Sequence, residues 1–221
     1  MFRKVLVSAL LVLGAASAAF AQSPKIEVAG LFGYTLADGV GGDPFKSTDG
    51  NTYNRIDPKG SMSVGLSVGY FIAPSVQFGF LWRRQPTSLE ISGTTVKNLA
   101  DLNIDGYHVF AAFHLGDADG KVRLYLLGGA GVTHYGGFSF PTTTGTKSVS
   151  GNMIFSSTWG AGMKIYPSPR VGVQAGVQWT PTYIKSDATG WWCDPWFGCY
   201  VVGDAQYSGQ IEFVGGLTFR F

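Results

Sequence analysis

Gln210-Ile211-Glu212-Phe213-Val214-Gly215-Gly216-Leu217-Thr218-Phe219-Arg220-Phe221 divides cleanly into two rows. Ile211, Phe213, Gly215, Leu217, Phe219 and Phe221 fall on one face, and Gln210, Glu212, Val214, Gly216, Thr218 and Arg220 on the other. Period-two alternation is the signature of a strand with two unlike faces. Seven earlier segments read the same way. Their apolar rows are Ile26-Val28-Gly30-Phe32-Tyr34, Met62 to Ile72 on even numbers, Val76-Phe78-Phe80-Trp82, and Tyr107-Val109-Ala111-Phe113-Leu115. Then follow Val122 to Val132 on even numbers, Trp159-Ala161-Met163-Ile165, and Val171-Val173-Ala175-Val177-Trp179.

The connections alternate in length. Ala73-Pro74-Ser75, Gly116 to Gly120 and Pro167-Ser168-Pro169 are tight and rich in turn formers. Residues 37–60, 86–101, 136–153 and 182–206 are long and polar. This pattern predicts an all-β fold: an eight-stranded antiparallel up-and-down transmembrane β-barrel with short periplasmic turns and long extracellular loops. A hairpin hidden in a long loop would raise the count to ten.

A soluble barrel would turn its apolar row inward around a ligand. Three features oppose that. The polar row is mostly Gly, Ser, Thr and Gln, unlike the charged surface of a soluble protein. The apolar row carries no charge between its aromatic ends, where one Arg or Lys at the bilayer midplane costs about 2–4 kcal/mol. The aromatics also sort by height. Tyr34, Trp82, Tyr107, Trp159 and Trp179 lie toward the long-loop ends of their strands, and Tyr70, Phe113 and Phe221 toward the short-turn ends. Two such girdles belong at the two membrane interfaces.

Composition agrees. Charged residues are 14% of the chain, below the usual ~25%, and 32 of the 221 residues are glycine. Arg3 and Lys4, the apolar run Val5 to Leu13 and Ala19-Phe20-Ala21 read as a secretory signal peptide over residues 1–21. The mature domain is then 22–221, with basic and acidic residues in balance, so no nucleic-acid partner is expected. Cys193 and Cys199, with five residues between them, suit a loop disulfide in an exported protein; a free or redox-active pair is the alternative.

The C-terminal Gly216-Leu217-Thr218-Phe219-Arg220-Phe221 and the glycine-rich Leu127-Gly128-Gly129-Ala130-Gly131 resemble the OmpA/OmpX-type family of small outer-membrane β-barrels. The resemblance spans the mature chain as architecture. It implies an integral bacterial outer-membrane protein, handed to the outer-membrane assembly machinery through its last strand. Val214 departs from the polar residue the family's terminal signal usually has there. No peptidoglycan-binding domain is expected after the barrel.

Inward rows supply Glu27, Arg83, His108, His114, Arg123, Lys164, Glu212 and Arg220. Charges in so narrow a space must pair, and Glu27 and Arg220 are expected to meet where the first and last strands close the barrel. The sequence names no partner for Arg123 or Lys164. In the fourth loop, Trp191, Trp192, Trp196, Phe197 and Tyr200 surround the cysteines as a candidate surface-interaction knob. His134 and Ser139 lie near the outer rim, but nothing fixes them together. The expectation is a non-enzymatic, monomeric barrel without cofactor or metal, contacting outer-membrane lipid and presenting loops to a surface partner. A narrow pore is the first alternative and a lipid-modifying enzyme the second. Intact-mass measurement of protein purified from the membrane should show a chain beginning at Gln22; a mass retaining residues 1–21 would overturn the signal-peptide reading.

Overall fold

Backbone N–H and C=O groups set the architecture, because in hydrocarbon each needs a partner within the protein. The computed structural model describes residues 25–46, 50–117, 120–142, 145–183, 193–194, 198–199 and 207–221. The expected signal segment, 1–21, lies outside them. In chain order the strands are β1 (Ile26–Ala37), β2 (Val40–Lys46), β3 (Thr52–Pro58), β4 (Ser61–Ala73), β5 (Val76–Gly93), β6 (Val96–Leu115), β7 (Val122–Tyr135), β8 (Phe138–Thr142), β9 (Gly145–Val149), β10 (Asn152–Ile165), β11 (Val171–Tyr183), β12 (Cys193–Asp194), β13 (Gly198–Cys199) and β14 (Tyr207–Arg220).

Eight of them close a ring in the order β1-β4-β5-β6-β7-β10-β11-β14, every pair antiparallel. The closing ladder runs from Glu27↔Arg220 to Ala37↔Gln210. Following partners from Ile26 through Tyr70, Phe78, Ala111, Gly128, Trp159, Trp179 and Ile211 returns to β1 at Leu36, ten residues along the strand. A shear of that size in eight strands tilts them by about 40° and leaves a lumen that side chains can fill.

The two rows face opposite ways. Phe32, Met62, Val109, Leu126 and Trp159 are exposed on the outside, whereas Glu27, Thr35, Arg83, His108, Thr158, Lys164 and Thr218 are buried inside. Inward glycines make room for the larger lumen groups. Gly162 and Gly176 oppose each other across β10 and β11, and a Cβ at either would stand 2.6 Å from the Tyr125 hydroxyl and 2.4 or 2.6 Å from a backbone carbonyl, that of Ala175 or Ala161. Gly116, in the turn after β6, has φ +98°, a conformation open to glycine at little cost.

Three long connections differ from the sequence reading. Residues 86–101 form no polar loop; β5 and β6 continue through them, pairing as far as Ser92↔Val96. Leu89 and Ile91 on β5 share a buried cluster with Leu102 and Ile104 on β6, and their burial together carries the ladder outward. Residues 37–60 and 136–153 each contain a hairpin, β2–β3 and β8–β9. Neither enters the ring, so the barrel keeps eight strands. β3 adds to the outer part of β5, from Tyr53↔Gly93 to Pro58↔Leu89, and β2 forms the edge of this outer sheet.

Gly162→Ala and Gly176→Ala should each lower the urea unfolding midpoint in lipid, by an overpacking cost of about 1–3 kcal/mol. Adding Tyr125→Phe should recover part of it; no recovery would show that the hydroxyl is not what the glycines accommodate.

Candidate functional site

The lumen is stacked in layers. At the short-turn end, Glu27 is the hub. It accepts from Lys164 Nζ, from Tyr166 Oη at 2.6 Å, from Arg220 Nε at 3.0 Å and from Gln77 Nε2 at 3.2 Å. Gln77 Oε1 lies 3.2 Å from His114 Nε2. The Arg220 guanidinium stacks 3.5 Å from the centre of the Tyr166 ring, and Arg123 donates to the Pro74 carbonyl and lies over Phe71. Glu27, Arg220, Lys164 and Arg123 are thus brought into one layer. Tyr166, Gln77, Tyr125 and Phe71 were not singled out from the sequence. Their signal was the parity of the inward row, except for Tyr166, which follows the end of β10.

Above this layer the lumen turns apolar. Leu31, Leu81, Phe110, Ala29, Ala112 and Val214 form one buried cluster, with Leu127 packed against it. This corrects the expectation of a lumen lined by small polar residues and charges. Leu31 and Leu81 share their rows with Glu27 and Arg83, and the opposite row is apolar as well, so alternation did not isolate them. A cavity of about 20 Å³ lies among Leu31, Leu81, Phe110, Gln77 and Lys164, room for about one water.

A second polar layer follows toward the long-loop end. Arg83 and Ser63 both donate to Glu212, and Arg83 Nη2 reaches Thr180 Oγ1 at 2.5 Å. His108 Nε2 lies 2.9 Å from Ser156 Oγ, which also accepts from Thr133 Oγ1 at 2.9 Å. This Ser/His pair is 0% exposed at both residues, so no substrate reaches it. Further out, on the side of β3, β5, β6 and β7, Tyr53, Ile56, Leu89, Ile91, Leu102, Ile104 and Tyr135 are buried together, with Leu99, Phe138, Val149 and Ile154 packed against them.

Outside the barrel the girdle residues stand on the exposed row, Tyr34, Trp159, Trp179, Tyr70, Phe113 and Phe221 exposed and Trp82 and Tyr107 half-buried. With ~3.3 Å per residue and a tilt of about 40°, the register sets Tyr34, Trp82, Tyr107, Trp159 and Trp179 within about 5 Å of one height. Charges bound the apolar belt. Lys25, Asp117, Lys121 and Arg170 are exposed below it. Above it, Arg84 holds Asp105 by two hydrogen bonds of 2.8 and 3.0 Å, with His134 Nδ1 4.0 Å from the same carboxylate. The belt between them is about 25 Å tall, the height expected of a membrane barrel. Ser139 is 2.8 Å from Ser148 rather than beside His134.

The outer sheet carries paired charges: Arg55 with Asp57 and Asp38, and Lys59 with Glu90. The Asp57 carboxylate holds the Arg55 guanidinium above its ordinary pKa. Cys193 and Cys199 oppose each other on β12 and β13. Trp191, Trp192, Trp196, Phe197 and Tyr200 lie outside the described residues.

Closed ring, filled lumen and apolar belt can be set beside known structures. No family model matches the chain, and no curated protein matches it. Among solved structures, it is similar to the outer membrane protein OprG from Pseudomonas aeruginosa, with a TM-score of 0.58 and 14% identity over 90% of this chain and 97% of that one. It is also similar to Neisserial surface protein A, with a TM-score of 0.52 and 14% identity over 89% and 97%. The chain has the fold of a small outer-membrane β-barrel. At this identity the likeness is one of fold.

Glu27→Ala would leave Lys164 and Arg220 buried without their carboxylate. The folded state should lose about 3–5 kcal/mol, read from urea unfolding in lipid, whereas Arg55→Ala at the surface should change it by less than ~1 kcal/mol. Equal effects would show that Glu27 is not the hub.

Proposed function

We propose that this chain is a non-enzymatic outer-membrane protein of the OmpA/OmpX type, a filled barrel that anchors a folded outer sheet at the cell surface. The observation that carries this reading is the lumen. Among the described residues, side chains fill the lumen around a cavity of about 20 Å³, and an ion with its hydration shell needs far more room than one water. Export through the signal segment 1–21 and a disulfide between Cys193 and Cys199 belong to the same reading. The antiparallel register of the two cysteines supports the disulfide.

Contribution to the surface follows from the outer layer. β5 and β6 extend past the girdles and bury their own apolar core, so among the described residues a built sheet stands outside the membrane. Such a platform can hold the aromatic loop between β11 and β14 toward a partner, because rigid scaffolds commonly carry binding segments on their loops. Outer-membrane lipid covers the belt, and a single copy suffices.

The refolded mature protein in a planar bilayer should show no single-channel steps. Regular, reproducible steps would overturn the filled-barrel reading and make the chain a small channel.

A further inference from the structure

The Glu27 carboxylate is saturated. It offers about four acceptor positions, and four donors fill them. Lys164 Nζ and Gln77 Nε2 bond one oxygen, Tyr166 Oη and Arg220 Nε the other. Lys164 and Arg220 are both buried cations, and among the described residues Glu27 is the one acid that either pairs with. A positive charge is left over, and so are hydrogens. The Lys164 ammonium has three N–H bonds, with Glu27 its one hydrogen-bond partner among the described residues. Arg220 Nη2 is buried with no partner there. Beside Lys164 lies the cavity of about 20 Å³, which Ser67, Gln77, Tyr125, Gln174 and Gln178 also line. Gln178 Oε1 is buried without a partner among the described residues, and a half-turn of that amide puts its N–H groups in the same place. Leu31, Leu81 and Phe110 make up apolar wall.

We infer that this cavity is a binding site for one small monatomic anion, chloride, held by Lys164 Nζ and the hydroxyl and amide donors around it. A bare halide is close to water in size and suits a space of this volume. It accepts from several donors at once, and it carries the one charge that Lys164 and Arg220 share beyond Glu27. Water fits the space but leaves that charge unanswered. Polyatomic anions such as gluconate are too large. The apolar wall keeps the local dielectric low, which strengthens the attraction between ammonium and halide. The ion is resident rather than conducted: the cavity has no room for its hydration shell, so it is taken up as the barrel closes around it.

The experiment is urea unfolding of the mature protein in lipid, in sodium chloride, bromide or gluconate at one ionic strength, with Lys164→Met alongside. The wild type should withstand more urea in chloride and bromide than in gluconate. Tenfold more chloride should raise its folded-to-unfolded ratio by up to tenfold. Lys164→Met leaves Glu27 paired with Arg220 and no charge over, so its midpoint should be the same in all three salts. Equal midpoints for the wild type would overturn the inference, since the cavity would then hold water or Lys164 would be neutral. A halide preference that Lys164→Met retains would overturn it too, because the ion would sit elsewhere. Should the variant fail to fold, wild-type crystals grown in bromide decide the matter. An anomalous peak in the cavity at hydrogen-bonding distance from Lys164 Nζ is the expected result; a cavity without bromide signal sinks the site.

Discussion

Closure of the β1–β14 ladder is the constraint on which the rest depends. An open eight-stranded sheet would leave two edges of unpaired amides in hydrocarbon, each group costing several kcal/mol. Once the first and last strands pair, the inside is fixed as narrow, and everything on the inward rows must fit or be paired. Gly162 and Gly176 yielding space to Tyr125, and Glu27 gathering two cations and a phenol, are both responses to that single geometric fact.

Strand number, direction and facing were legible because a membrane barrel writes one rule along every strand. The exposed rows from Ile26 to Phe221 carry no charge within the belt, and turn residues mark each reversal. Girdle heights were legible for the same reason: once direction is known, the register places Trp82 level with Tyr107. The lumen was legible only in part. Glu27 opposite Arg220 follows from closure, but Lys164 reaching Glu27 crosses the lumen from β10 to β1, a distance no single-strand pattern encodes.

The apolar clusters were hidden by a different cause. Leu31, Leu81 and Phe110 interrupt inward rows that otherwise read as polar, and the outer core uses the same alternation as the membrane strands. Alternation tells which side chains share a face, not whether that face meets lipid or protein. The extension of β5 and β6 was missed for this reason: Ser88-Leu89-Glu90-Ile91-Ser92 is too short and too polar on one side to be a membrane segment, yet it pairs well above the girdle.

The outer sheet ends at β2, which pairs with β3 and with no other strand among the described residues. Its register slips between Gly41 and Phe45, and Pro44 sits within it without an amide hydrogen to offer. Bulge and proline each spoil a strand as a template for the next one. An unpaired edge invites pairing with the edge of another chain. With this margin blunted, a second chain finds no continuous row of amides on which to extend the sheet.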